Sequence, residues 1–168
     1  MGKLYSNGVN QGDLYDLISG INTKFIALLT QLVADTTAAT TTYLTGCTPG
    51  ALPSGMSGTG MSQDQIVAWL QRYVTGWNAM LALLDADTGV AATDYVSGQA
   101  ITDAINPSAY AAHTINSDGM SQGDLIYWLN VIITKMNAVN AKLDADNLQL
   151  SDYVSLFNVT DTVDEAGS

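Results

Sequence analysis

A single stretch of sequence occurs three times in this chain, and that repetition constrains the fold more than any other feature. With Gly8 placed on Gly60 and Gly60 on Gly119, Gln11, Gln63 and Gln122 coincide. So do Thr23, Thr75 and Thr134, and Ala27, Ala79 and Ala138. The offset is 52 between copies one and two (60 minus 8) and 59 between copies two and three (119 minus 60). It falls by one residue before Asp94-Tyr95-Val96-Ser97 and Asp152-Tyr153-Val154-Ser155. Repetition at spacings of this order marks one copied supersecondary unit. The repetition predicts a single domain over residues 1–168, with repeats at 8–45, 60–97 and 119–155. Residues 46–59 and 98–118 are then linkers, and 156–168 a tail that frays after Val159.

Each copy opens with helix-start signals. Asn10, Ser62 and Ser121 are good N-caps, followed three residues later by Asp13, Gln65 and Asp124. Ser62 with Gln65 fits a capping box, and the other two are a looser aspartate version. Val9 and Leu14, Met61 and Ile66, and Met120 and Leu125 bracket the caps at hydrophobic-staple spacing.

The apolar pattern then runs at helical period. Leu14, Ile18, Ile21, Phe25, Leu28 and Leu32 fall at steps of 4, 3, 4, 3 and 4. The same steps place Ile66, Leu70, Tyr73, Trp77, Met80 and Leu84, and again Leu125, Leu129, Ile132, Met136, Val139 and Leu143. This is an a/d seam, widened by Leu17, Trp69, Trp128, Leu29 and Leu81. Helices of about 24 residues are about 36 Å long at 1.5 Å per residue. Gly20, Gly76 and Gly123 each weaken such a helix by about 1 kcal/mol when interior, a cost that packing is expected to override. The fold class read here is all-α: triplicated long helices in a pseudo-threefold, coiled-coil-like three-helix bundle with long irregular linkers. Antiparallel neighbours need only about 2–8 connecting residues. The connections here, 36–61 and 88–120, are long enough to run back along the outside, so the three helices are predicted to be parallel. Residues 46–60, rich in Gly, Ser, Thr and Pro, read as irregular. In 98–118, Ile101, Ile105, Tyr110 and Ile115 are candidates to lie on the bundle as a short helix or extended segment.

The exits are acidic: Val33-Ala34-Asp35, Asp85-Ala86-Asp87 and Asp144-Ala145-Asp146. Carboxylates at a helix C-terminus oppose the helix dipole. One resolution is that the helix has ended and Asp87 or Asp146 caps the next turn, at Asp94-Tyr95-Val96 or Asp152-Tyr153-Val154. The tyrosine then packs back on the bundle end.

Composition narrows the function classes. Five basic residues face 16 acidic ones, a net charge of −11. Phosphate recognition needs clustered Lys and Arg, and Lys3, Lys24, Arg72, Lys135 and Lys142 are scattered. Neither nucleic acid nor an anionic membrane surface is an expected partner. The longest unbroken apolar run, Phe25-Ile26-Ala27-Leu28-Leu29, is too short to span a bilayer. No charged start with a long apolar run and a cleavage site is read at the N-terminus. One cysteine, Cys47, makes no internal disulfide, and one histidine, His113, builds no His-rich site. Cys47 reads as a passive thiol in a flexible linker, without a cation to lower its pKa. The Asn158-Val159-Thr160 sequon reads as a chance match.

The paired acids Asp85/Asp87 and Asp144/Asp146 invite two chemical readings. Asp-x-Asp opens calcium loops, and Gly89 follows the first pair, but no bidentate Glu stands at the required distance. Two carboxylates also serve as acid and base in glycoside hydrolysis. Their place in a repeated motif argues instead for solvated helix ends. No phosphate-binding, nucleophile-elbow or zinc motif occurs. The expectation is no catalytic residue, no metal and no cofactor. Trp69 and Trp128, equivalent and flanking the seam, are partner anchors if they stay exposed. Tyr95 and Tyr153 at the exits complete the candidate partner-binding set.

The stretch Leu84-Asp85-Ala86-Asp87-Thr88-Gly89-Val90-Ala91-Ala92-Thr93-Asp94-Tyr95 resembles a module of structural proteins of tailed bacteriophages. There a helix ending in Leu-Asp-Ala-Asp-x-Gly-Val is followed by Thr-Asp-Tyr. Copy three matches through Leu143-Asp144-Ala145-Asp146 and Asp152-Tyr153 but lacks the Gly-Val, and copy one keeps Ala34, Asp35 and Tyr43. The resemblance implies a virion component without enzymatic activity. The function expected from it is an exterior capsid decoration or minor capsid protein that binds other virion proteins, with homo-oligomerisation compatible with the seams. The alternatives are a neck or tail protein, a non-virion helical binding module using Trp69 and Trp128, and, ranked last, a small hydrolase using the Asp pairs.

Overall fold

A computed structural model describes residues 4–5, 11–35, 42–87, 95–101, 122–146, 153–159 and 163–164. Among them the chain is mostly helical. Three long helices, α1 (Gln11–Asp35), α3 (Gln63–Ala86) and α4 (Gln122–Ala145), alternate with two short ones, α2 (Thr42–Cys47) and α5 (Tyr153–Phe157). Strands β1 (Leu4–Tyr5) and β2 (Val163–Asp164) form a two-residue parallel pair, Leu4 opposite Val163 and Tyr5 opposite Asp164. The tail therefore does not simply fray after Val159: part of it pairs with the segment that precedes α1.

The long helices begin one residue after the expected caps. At α3 the capping box is complete: Gln65 N–H donates to Ser62 Oγ (3.2 Å) and Ser62 N–H donates to Gln65 Oε1 (2.8 Å). Met61 is partly buried against the core that contains Ile66. Asn10 and Ser121 lie outside the described residues.

All eighteen seam residues are buried, and so are Leu17, Trp69, Trp128, Leu29 and Leu81. They meet in one core. Phe25 of α1 lies 4.8 Å from Tyr73 and 5.7 Å from Trp77 of α3 (ring centroids). The Tyr73 hydroxyl donates to Met136 Sδ of α4 at 3.7 Å. These contacts bring side chains from the middle of all three long helices together.

They are not packed as a tight coiled coil. Few Cα atoms of one long helix come within 8 Å of another, whereas α2 packs closely against both α1 and α3, and α5 against both α4 and α1. Phe25, Tyr73 and Trp77 are too large for close knobs-into-holes contact, where helix axes approach to about 8–10 Å. The space they open is taken by the segments that follow each long helix, here called arms. Arm one (residues 42–62) lies against α1 and α3, arm two (95–101) against α3 and α4, and arm three (153–159) against α4 and α1.

By length and composition, residues Gly12–Asp35 of α1 would suffice to cross a membrane, which the longest unbroken run did not suggest. Of the apolar side chains that give this character, Leu14, Leu17, Ile18, Ile21, Phe25, Leu28, Leu29 and Leu32 are buried in the core, while Ile26 is half-buried and Ala27 exposed.

Candidate functional site

The acidic exits, the densest polar cluster described here, converge with the tyrosines at one end of the molecule. In each of arms two and three, one carboxylate takes two backbone N–H groups. Asp85 accepts from Tyr95 N–H (Oδ1, 2.5 Å) and Val96 N–H (Oδ2, 3.1 Å). Asp144 accepts from Tyr153 N–H (2.5 Å) and Val154 N–H (3.1 Å) in the same way. A carboxylate is well placed there, because the first N–H groups of a turn have no partner within it and carry partial positive charge. This answers why acids stand at helix exits: they cap the element that follows. The capping residues are Asp85 and Asp144, rather than Asp87 and Asp146 as the sequence suggested, because the first acid of each pair sits one half-turn back, under the arm.

The second acid of the α4 exit and the single acid of the α1 exit have another use. Tyr95 of arm two donates its hydroxyl to Asp146 at the end of α4. Tyr153 of arm three donates to Asp35 Oδ2 at the end of α1, at 2.7 Å. Each tyrosine thus bonds the exit of the helix after its own, in the order α3 to α4 to α1. Tyr43, in arm one, and Asp87, at the end of α3, are both buried and hold the corresponding places. Burial pushes the hydroxyls of Tyr95 and Tyr153 well above the usual tyrosine range. The hydrogen bond to Asp146 or Asp35 adds to this, followed by those same acids' negative charge. Tyr43 bears on both groups electrostatically, which puts all three phenols in one neighbourhood. Lys142 Nζ sits 5.5 Å over the Tyr95 ring, within cation–π range.

Farther down, amide side chains hold the arms in a second way. Asn78 donates to Ile101 O and accepts from Ile101 N–H, both at 2.9 Å. Asn137 makes the same pair of bonds with Val159, both at 2.9 Å. Each amide imitates one rung of a β ladder, using donor and acceptor together. Asn78 and Asn137 are one repeat apart (137 minus 78 is 59), a signal present in the sequence but passed over. The cations, called scattered above, also serve the arms. Lys24 donates to Asn158 O, Lys135 to Gly98 O (3.0 Å), and Arg72 to Ala51 O (3.1 Å). Lys24, Gly76 and Lys135 are repeat equivalents, and all three meet a carbonyl of an arm. At Gly76 the approach is so close that an added Cβ would lie 2.0 Å from Cys47 O.

The candidate partner-binding residues are buried. Trp69, Tyr95 and Tyr153 expose 0% of their surface and Trp128 1%. The condition for treating Trp69 and Trp128 as surface anchors is not met. Trp69 Nε1–H instead donates to Asn22 Oδ1 (3.0 Å), which fixes Asn22 so that its amide donates to Gly50 O (3.1 Å). Cys47 is not in a flexible linker. It ends α2, fully buried, and burial pushes its thiol up to about 11. His113, Gly89, Ile105, Tyr110 and Ile115 lie outside the described residues.

Chemically, the site gives Asp85, Asp144, Asp146 and Asp35 hydrogen-bonding duties toward the chain itself. Both oxygens of Asp85 and of Asp144 are engaged by backbone N–H groups. Among the described residues, no three His, Cys, Asp or Glu side chains are arranged to hold a metal ion. Two shallow grooves occupy repeat-equivalent places. One, of about 250 Å³, includes Gln71, Arg72, Thr75 and Gly76; the other, of about 410 Å³, includes Asn130, Val131, Thr134 and Lys135. Neither contains the tyrosine–aspartate cluster. No protein-family model, no curated protein and no solved structure matches the chain.

Proposed function

We propose that this chain is a non-enzymatic structural component of a bacteriophage particle, an exterior capsid decoration or minor capsid protein that binds other virion proteins. The architecture we assign to it is a triplicated module closed into a pseudo-threefold three-helix bundle, one polypeptide imitating a homotrimer. The observation that carries the reading is the directional linkage at the exits: Tyr95 to Asp146, then Tyr153 to Asp35, each arm reaching the next helix. A module that fastens itself to its neighbour by its own repeated exit motif suits a building element. Of the paired acids that could have served as acid and base, Asp85, Asp144 and Asp146 are spent on that fastening.

Two further observations support it. The Leu-Asp-Ala-Asp exits that resemble the phage module supply both caps, Asp85 and Asp144, and the second of them also supplies the acceptor of Tyr95, Asp146. The four described cations, Lys24, Arg72, Lys135 and Lys142, all contact the chain's own arms. The charge left for a partner is therefore acidic, which suits protein contacts rather than packaged nucleic acid. A pseudo-threefold body fits a local threefold position on a shell or the base of a fibre. Mass spectrometry of purified, DNA-filled particles tests the proposal: the chain is expected among the particle proteins, and its absence overturns the reading.

A further inference from the structure

We propose that arm three and β2 form a strap across α4 and α1 that opens as one unit while the rest of the chain stays folded, with Asn140 and Asn158 as its latch. Asn140 stands where the other copies have Leu29 and Leu81 (140 minus 81 is 59; 81 minus 29 is 52), and Asn158 stands where arm two has Ala100 (158 minus 100 is 58). Leu29, Leu81 and Asn140 are all fully buried. Two apolar positions of copy two are thus an amide pair in copy three. Asn140 Nδ2 donates to Asn158 Oδ1 at 2.9 Å, but Asn140 Oδ1 is buried with no hydrogen-bond partner among the described residues. A stranded buried acceptor regains its hydrogen bonds only where water reaches it. Closing arm three over Asn140 therefore carries a cost that Leu81 does not impose on arm two.

The far anchors of the two arms also differ. Arm two is followed in the chain by α4, a helix seated in the core, whereas arm three is followed by β2, which is held to β1 by a two-residue pair. Two short strands alone have little stability in water. At Asn158 the holds on both helices meet: its side chain accepts from Asn140 of α4, and its carbonyl accepts from Lys24 of α1. Freeing this one residue releases both, which couples the parts of the strap into one opening unit. Such units open with free energies below that of global unfolding. The contacts of Phe25 with Tyr73 and Trp77, and of Tyr73 with Met136, which join the three long helices, contain no strap residue and can persist while it is open.

Amide hydrogen exchange in the full-length chain tests this on a matched pair. The backbone N–H groups of Ile101 and Val159 make the same 2.9 Å bond, to Asn78 and Asn137, and the two residues are buried alike. Val159 should be protected about tenfold less than Ile101 after correction for intrinsic rates. Low concentrations of urea should leave that opening unchanged, as befits an event that exposes little surface. Equal protection of the two amides would overturn the proposal. Asn140→Leu with Asn158→Ala gives copy three the residues of copy two, and should raise the protection of Val159 toward that of Ile101 while Ile101 stays as it was. Asn158→Ala alone strands both polar groups of Asn140 and should lower the protection of Val159 further. A Val159 amide that responds to neither change would equally sink the latch. If neither variant folds, the comparison of Ile101 with Val159 in the unaltered chain decides alone.

Discussion

Arms two and three are fastened by the same two devices, a carboxylate cap (Asp85, Asp144) and an amide clamp (Asn78, Asn137). Arm one has Val33 and Ile26 at the corresponding positions and can use neither. It is held mainly from α3: Cys47 O rests on Gly76, Ala51 O accepts from Arg72, and Ser54 O accepts from Gln65 Nε2 (2.8 Å), while Asn22 of α1 donates to Gly50 O. Arms two and three are capped and clamped by their own helix as well as bonded to the next, whereas arm one lacks the cap and clamp and adds a close backbone approach to the next helix. The repeat therefore preserves where an arm lies, and different chemistry can keep it there.

The difference can be broken from several directions. The largest effect should come with alkali. Buried neutral phenols bind protons that the unfolded chain releases above about pH 10, so stability present below that pH is lost as pH rises. Tyr73, Tyr95 and Tyr153 all have hydroxyls raised by burial, and each such group costs about 1.4 kcal/mol per pH unit in that window. Cys47, in arm one, begins to lose stability a step earlier, between its ordinary 9.0 and about 11. Thermal melting from pH 8 upward should show this earlier component, and Cys47→Ala should remove it. If both chains track together through that interval, arm one has no special alkaline weakness.

Gly76→Ala comes next. The added carbon cannot coexist with Cys47 O at 2.0 Å, so arm one must shift, at a cost of about 3 kcal/mol or more, in the range of severe overpacking. Denaturant unfolding measures it, and a loss under about 1 kcal/mol would mean that arm one is not fixed by this contact. Asn78→Ala and Asn137→Ala should each cost about 1–3 kcal/mol, because each strands a backbone donor and acceptor. Their costs should match; a twofold disparity would show that arms two and three are not equivalent. Asp85→Ala and Asp144→Ala, which remove caps, should each cost about 1 kcal/mol. The smallest effect reverses sign. Gly20→Ala meets nothing within 4 Å on an exposed helix face and should stabilise by about 0.5–1 kcal/mol.

Gly76 and Gly20 also show how far the amino acids alone can be read. Both break a helical pattern, and both look like the same mild defect until Cys47 O is found against one of them and open space beside the other. Trp69 and Trp128 widen the seam, and the sequence left them as partner anchors only if exposed; the structure shows both buried, with Trp69 bonded to Asn22. The exit acids were legible as caps in kind but not in detail: which acid of each pair lies under the arm depends on where the helix ends and the arm turns.

What the sequence determined by itself was local and periodic: three long helices from the 4-3 spacing, the first turn of α3 from Ser62 and Gln65, and the buried seam residues from Leu14 to Leu143. These follow from hydrogen bonding and burial within one helix, where neighbours are fixed by the 3.6-residue turn. Tertiary structure alone decided which helix each arm crosses to, that Tyr153 meets Asp35 from 118 residues away, and that Lys24, Gly76 and Lys135 share one task. Such pairings depend on the distance between helices, which is set by side-chain volumes summed across the core and is written at no single position of the chain.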